Sequence, residues 1–448
     1  KSWPQWKRLL VAVDIRVDKT VASLRPSAIA DYRSKLAEIR WPPPLSVGLI
    51  QEGAHSDLKA ENPLVKLNGE MKQKFESSFV SLSALQALQC RRKARQAIEV
   101  SHKRLGNGNY KHNHEILWAI EEMMTLIGSR AAVHFLKWSE NPDLIFGLAY
   151  QVAQQHVEII DTVLQPMLDR VRLAGYCVRE EWISAVSVML MNHLRSHTLP
   201  ELVEKLSDDV KGKEESSYWL HIVDLAISFD KKMHSLSSKS IGPLASKVEL
   251  DFFDADDAGL ESVIKCVTVF AERKEWLDLW SQLELVDAQR KLNRELQDER
   301  AWSHYTPSDV VSSAVQITSF AQEDFRHPQG AEATMLRMWT LINRCRSLPR
   351  DDWKLEFIRN VGSPFVKDFL GTLLQRCQEA EATTALSEEG AVVKVASCIN
   401  ASCYCEHKLL EWSEDVFFLD LRRLQISLAD DQCNSKISGV KVLQSGES

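Results

Sequence analysis

The sequence predicts an all-α protein built from bundles of packed helices. Apolar residues recur at alternating steps of three and four along most of the 448 residues, which places them on one face of successive helices. Only 17 glycines and 14 prolines occur, so the chain has few of the turn residues that a many-stranded fold needs. The 44% of hydrophobic and 26% of charged residues match globular proteins, and most of the chain should therefore fold.

Residues 1–61 are predicted to form an N-terminal helical segment and a linker. Pro26 is expected to start a new helix, and residues 41–44, a tryptophan followed by three prolines, predict a break because proline nitrogens donate no hydrogen bond. The chain opens with Lys1 rather than methionine, which indicates a fragment of a longer protein. The first helix carries an apolar stripe that requires a partner helix and consists of Trp3, Trp6, Leu10, Val13, Val17, Val21 and Leu24.

Residues 62–206 are predicted to form a first helical bundle. The sequence Gly-Asn-Gly-Asn at 106–109 is typical of a turn. Asn141, Pro142 and Asp143 predict a helix start, with the Asn141 side chain as cap and Pro142 in the first turn. Two helices of this bundle are indicated by apolar stripes at Phe75, Phe79, Leu82, Leu85 and Leu88 and at Ile116, Ile120, Met123, Ile127, Ala131, Phe135 and Trp138.

Residues 207–217 are predicted to form a flexible linker, because they are charged and poor in large apolar side chains. A second helical bundle is expected over residues 218–421, followed by a divergent, poorly ordered tail over 422–448. Leu424 and Ile426 in that tail begin an alternation of period two, unlike the helices before it. The stripes of the second bundle consist of Trp276, Leu279, Leu283, Val286, Leu292 and Leu296, and of Ala396, Ile399, Cys403, Leu410 and Phe417.

Four soft ligands lie within ten residues near the C-terminus, but their spacing does not predict a zinc site. Structural zinc sites usually pair two C-x-x-C knuckles, whereas Cys403 and Cys405 would point to nearly opposite sides of one helix. We expect buried thiols on a helix instead. The cluster consists of Cys398, Cys403, Cys405 and His407.

Two further patterns fail as metal sites. Asp254 and Asp256 match the first positions of a calcium loop, but Lys265 stands where a bidentate glutamate is needed, so an acidic helix cap is expected. His193 and His197 lie four residues apart without the glutamate of H-E-x-x-H, which favours a solvated or core-edge pair. The sequence therefore predicts no metal ligands.

No pattern predicts a catalytic or cofactor-binding site, since phosphate-loop and nucleophile-elbow motifs are absent from the sequence. Thirteen tryptophans could suggest a ligand cage, but Trp118, Trp138, Trp276 and Trp280 lie on or beside apolar stripes, where core packing is expected.

The odd number of cysteines, nine, indicates a reducing compartment. The net charge of -7 predicts no nucleic-acid partner. No apolar run reaches the roughly 20 residues of a membrane span, so any membrane association should be indirect.

Aromatic and aliphatic residues at helical spacing recur in three regions: Leu24–Ile29 with Ile39–Pro43, Tyr218–Asp230, and Trp276–Trp302. In these regions the sequence resembles the RINT-one/Tip-twenty family of vesicle-tethering subunits, and the likeness runs in order from about Trp3 to Leu421. The resemblance implies an elongated multi-helix rod of the CATCHR tethering type.

The same resemblance implies a non-enzymatic subunit of a Dsl/NRZ-type complex in Golgi-to-endoplasmic-reticulum retrograde transport. Expected partners are other tether subunits, SNAREs of the endoplasmic reticulum and COPI-coated vesicles. The expected location is the cytoplasm, peripheral at the endoplasmic reticulum membrane and held there by proteins.

Two other functions are left open by the residues alone. One is a helical adaptor of another trafficking pathway, which subcellular location would separate from the tether. The other is a helical enzyme whose acid–base residues are scattered in the sequence, which a cluster of perturbed carboxylates or histidines in one deep pocket would favour.

Overall fold

A computed structural model describes residues 3–45, 62–103, 115–173, 175–206, 212–238, 263–303, 327–382 and 389–427. Within these ranges the regular structure is helical, with no β-strand, and the prediction of an all-α fold is confirmed. The α-helices are α1 (Trp3–Glu38), α2 (Gly69–Lys103), α3 (Trp118–Lys137), α4 (Pro142–Val171), α5 (Val178–His193), α6 (Leu199–Leu206), α7 (Gly212–Ser238), α8 (Lys274–Leu296), α9 (Gln329–Arg346), α10 (Asp351–Phe357), α11 (Ser363–Ala382), α12 (Glu389–Ser413) and α13 (residues 416–427).

The chain divides into two compact units. Unit 1 comprises Lys1–Glu215 and Asp224–Cys266, and unit 2 comprises Ser216–Val223 and Val267–Ser448, so that α7 contributes to both. The predicted linker lies partly outside the described residues, and its last six residues, 212–217, form the first turns of α7. The domain boundaries proposed from sequence stay predictions.

In unit 1, α3 contacts α1, α2 and α5, and α4 packs along α5. The start of α3 is fixed by two buried polar side chains. Gln86 accepts from the Trp118 N–H at 2.8 Å and donates to the Ile116 carbonyl at 2.9 Å, while Glu181 accepts from the Leu117 N–H at 2.9 Å. These bonds satisfy donors that every helix N-terminus leaves without an intrahelical partner.

Unit 2 is built on α11 lying along α12, with α9 in contact with α8, α11 and α12. Trp280 of α8 is fully buried in this unit. Its ring lies 6.0 Å from that of Phe270 and 5.1 Å from that of Phe357. Each such aromatic side chain stabilises the unit by roughly 1.5–3 kcal/mol through burial.

The prediction that Pro26 starts a new helix is wrong, because α1 continues through it. The missing N–H leaves the Ala22 carbonyl without its helical donor, but Ala22 and Pro26 are exposed and water can supply that bond. Downstream, the fully buried Tyr32 packs its ring 5.6 Å from that of Phe75 on α2. This burial offsets the cost of proline inside the helix.

The predicted break at residues 41–44 is confirmed, since α1 ends at Glu38. Arg40 has a left-handed backbone with φ of 61°, and the Trp41 N–H donates to the Leu36 carbonyl at 2.9 Å. This is the hydrogen-bond pattern of a Schellman helix end, here with arginine where glycine is common. The chain therefore leaves α1 in a fixed direction.

The predicted helix start after Asn141 is confirmed, because α4 begins at Pro142. The Asn141 side chain makes no capping hydrogen bond, so that part of the prediction is wrong. The turn predicted at residues 106–109 and the calcium-like loop around Asp254 lie outside the described residues. Residues 422–427 of the predicted tail belong to α13, so Leu424 and Ile426 are helical.

Candidate interaction surfaces

The tryptophans that the sequence analysis singled out pack in the cores. Trp118, Trp138, Trp276 and Trp280 are all buried, which confirms the core interpretation for these four. Their positions on or beside apolar stripes predicted this outcome.

The aromatic residues of the three resemblance regions are structural as well. Trp41 is buried, and its indole N–H donates to the Met123 carbonyl at 3.1 Å. Arg130 donates to the Pro42 carbonyl at 2.9 Å and so holds the proline segment over the core. Trp219 and Trp302 are also buried. These regions therefore carry information about the fold rather than a ligand site.

Two histidines are buried, and burial is the main cause of their lowered pKa values. His156 lies 3.2 Å from the Asn62 amide, and burial lowers the pKa of His156 to about 4. Burial, with a smaller effect of His197, lowers the pKa of His193 to about 4, and the His193 ring packs 5.0 Å from Phe135. Both are neutral near pH 7, as buried core histidines are.

Unit 1 should lose stability as pH falls below about 6.5. In that range the histidine takes up a proton in the unfolded chain that buried His156 does not accept in the folded one. Each unit of decrease in pH therefore lowers the free energy of unfolding by about 1.4 kcal/mol, until the folded pKa near 4 is reached. We expect His156→Gln to reduce the dependence of the unfolding free energy on pH between 6.5 and 5. Denaturant unfolding at several pH values measures it. His234→Gln, at an exposed position of α7, is the control, and equal slopes in both variants would contradict the prediction.

The cysteine cluster near the C-terminus lies on α12, as the sequence predicts, but its members face different ways. Cys398 and Cys405 are buried, whereas Cys403 and His407 are partly exposed. Burial, followed by the neighbouring Cys377 of α11, raises the pKa of Cys398 to about 12, and burial raises that of Cys405 to about 12. Such thiols stay protonated and are poor ligands and nucleophiles. Across the described ranges, no three histidine, cysteine or acidic side chains are arranged to hold a metal.

A cleft with a volume of about 510 Å³ lies in unit 1 between residues 63–67, α2 and α4. Leu64, Pro166 and Met167 form its apolar floor, and an ion pair between Glu76 and Arg170 lies at its edge. None of the lining residues is a histidine, cysteine or serine. The cleft thus lacks the serine–histidine or cysteine–histidine pair that many acyl-transfer sites use.

Exposed apolar side chains are concentrated on α1 between Trp6 and Leu24, most of them in the N-terminal half of the helix. We call this patch the α1 surface: Trp6, Leu9, Leu10, Val13 and Leu24. Trp6 is 64% exposed. Asp14 pairs with Arg95 at 2.5 Å and Asp18 pairs with Arg92, so α1 is held along α2 while this flank stays uncovered. The stripe predicted from sequence is present, and only Val21 among its described members is fully buried.

A second exposed apolar row lies on α12, where the sequence pattern predicts a bundle stripe. Ile399 is 55% and Leu410 61% exposed, so this part of the stripe faces solvent. The face that packs inward instead carries Cys398, Ala401 and Cys405. Hydropathy alone favours the wrong face, because the buried residues are smaller than the exposed ones.

No helix within the described ranges is long and apolar enough to cross a bilayer. Separately from that finding, α1 and α12 each present a row of exposed apolar side chains. Such rows are typical of protein–protein contacts.

Comparison with known proteins gives one family. The model of the RINT-1/TIP-1 family matches residues 118–446, which include most of the tail that the sequence analysis set apart. The RINT1-like protein MAG2 of Arabidopsis thaliana is 39% identical over 428 residues, which cover 94% of this chain and 50% of that protein. The chain thus spans about half the length of this curated relative. No solved structure matches the chain significantly.

Proposed function

Because the chain belongs to the RINT-1/TIP-1 family, we propose that it is a non-enzymatic subunit of a vesicle-tethering complex in retrograde transport from the Golgi to the endoplasmic reticulum. In this role it holds other tether subunits and SNAREs together. COPI-coated vesicles are the proposed cargo. Membership of this family is the main support for the proposal. The resemblance predicted from the sequence, which the comparison confirms, agrees with it.

The geometry of the described residues supports a binding rather than a catalytic role. The buried histidines are neutral, Cys398 and Cys405 are protonated, and the cleft between residues 63–67, α2 and α4 holds no serine–histidine or cysteine–histidine pair. A helical scaffold suits tethering, since each residue of helix adds about 1.5 Å of reach and packed neighbours keep it stiff. Membrane recruitment in this proposal comes from protein contacts, at the cytoplasmic face of the endoplasmic reticulum.

The α1 surface is the proposed contact for another tether subunit. Leu9, Leu10 and Val13 follow the i, i+1, i+4 spacing of a helix flank, on the helix α1 that packs against α2. A helix of the partner would bury these side chains and gain roughly 25 cal/mol for each Å² of apolar surface removed from water.

The test is affinity purification of the full-length protein from cells, followed by identification of the bound proteins. We expect tether subunits and SNAREs of the endoplasmic reticulum, and a loss of tether subunits with Val13→Glu, which places a charge on the α1 surface. Val133→Glu, at an exposed valine of α3, is the matched control and should retain them. Recovery of none of these partners by the unmodified protein, or a distribution without any association with the endoplasmic reticulum, would exclude the tether.

A further inference from the structure

The exposed row on α12 has the repeat of a coiled-coil seam. Its members follow one another at steps of four, three, four, three and four, so that every second member lies seven residues further along the helix, which is the heptad spacing of a helix that pairs with another helix. Val392, Ile399 and Leu410 are 49%, 55% and 61% exposed. We call this row the α12 seam: Val392, Ala396, Ile399, Cys403, Glu406 and Leu410.

The α12 seam is not needed to hold α12 in unit 2, because other faces of the helix do so. Ser397 donates from Oγ to the Trp302 carbonyl at 3.0 Å near the beginning of the helix. Near its end, the Trp412 ring packs 5.2 Å from that of Trp339 on α9. At 100° per residue, the fully buried Ala401 points about 160° away from Ile399. The seam is therefore a second apolar face on a helix that is already anchored.

Glu406 determines which occupant fits. It is exposed and occupies one seam position, while the remaining positions are apolar or a thiol. A carboxylate enclosed in a helix interface is costly unless a cation pairs with it. A second copy of α12 would bring no lysine or arginine in its own seam, so self-pairing would enclose two carboxylates without cations.

We propose that the α12 seam binds an amphipathic α-helix of another protein, which carries apolar residues in a heptad repeat and a lysine or arginine opposite Glu406. The seam extends over residues 392–410, about 28 Å of helix, and offers five apolar or thiol contacts and one ion pair. The inference goes beyond the proposed function, because it follows from α12 and holds for any helical partner.

The experiment places a photo-crosslinking amino acid at position 399 of the full-length protein in cells and sequences the crosslinked peptide. The expected peptide belongs to another protein and has a heptad of apolar residues with one lysine or arginine. A synthetic peptide of that sequence should bind purified protein and bind at least tenfold more weakly to Glu406→Lys. Exchange of the peptide's cation for glutamate should restore binding to Glu406→Lys.

Leu336→Asp, at an exposed leucine of α9, is the matched control for Ile399→Asp. The control should bind the peptide normally, while Ile399→Asp should abolish binding with an unchanged circular dichroism spectrum and melting temperature. The proposal is overturned if no crosslink forms. It is also overturned if the crosslinked peptide comes from the same chain, from a second copy, or from a segment that lacks the heptad repeat or the cation. A peptide that binds the unmodified protein and Glu406→Lys with equal affinity overturns it as well. The tether proposal is tested separately through Val13→Glu, so failure of one leaves the other standing.

Discussion

Replacement of Arg344 by methionine is expected to lower the free energy of unfolding of unit 2 by about 3–5 kcal/mol. Arg344 of α9 donates from Nε to Glu284 Oε1 of α8 at 2.5 Å, and the Trp280 indole N–H donates to the same oxygen at 2.8 Å. The Glu284 side chain is only 6% exposed. Without the Arg344 guanidinium, the buried carboxylate loses this ion pair, and at 6% exposure little water reaches it.

Hydrogen exchange of α8 and α9 peptides, together with unfolding in the denaturant guanidinium chloride, measures this loss of stability. Arg337→Met is the matched control on the same helix, because Arg337 pairs with the more exposed Glu295 and such surface pairs contribute up to about 1 kcal/mol. The double variant Arg344→Met with Glu284→Met should recover most of the stability, since it removes the buried charge as well. Equal losses in Arg344→Met and Arg337→Met would contradict the prediction.

Trp41→Ala should destabilise unit 1 by about 3–5 kcal/mol, the usual cost of truncating a buried aromatic side chain. The Trp41 ring lies 5.8 Å from that of His156 and 6.3 Å from that of Trp182, and its indole N–H bonds to Met123. The substitution leaves a cavity among side chains contributed by several helices. It also removes the contact that positions the chain after α1.

Thermal unfolding and hydrogen exchange of α3 and α5 peptides follow the effect of Trp41→Ala. Trp6→Ala is the control, because Trp6 is exposed and its loss should change the unfolding free energy by no more than about 0.5 kcal/mol. If both tryptophan variants unfold like the unmodified protein, Trp41 does not hold the core.

The helical class could be predicted from sequence because a 3.6-residue period is a local property that each segment carries by itself. The prediction that Pro26 starts a new helix is wrong because it considers only local effects. The penalty of an internal proline is local, whereas the burial of Tyr32 and Phe75 that offsets it joins residues from two helices. Sequence patterns report the first quantity and not the second.

The face that a helix buries is harder to predict than the helix. On α12, the larger Ile399 and Leu410 face solvent while the smaller Cys398 and Cys405 are buried. The buried state of His156 was equally hidden, since it depends on Asn62 and Trp41, far away in sequence. Exposed apolar faces can therefore be identified only once it is known which helices pack against each other in the fold.

The two ends of α1 are held by different forces, which makes them respond differently to ionic strength. Near Tyr32 the helix is held by aromatic packing, which ordinary salt concentrations hardly affect. Near Asp14 and Asp18 it is held by charged pairs at the surface, which mobile ions screen over about 8 Å in physiological salt. Salt can therefore loosen the N-terminal half of α1, where the exposed apolar side chains lie, while the other half stays in place.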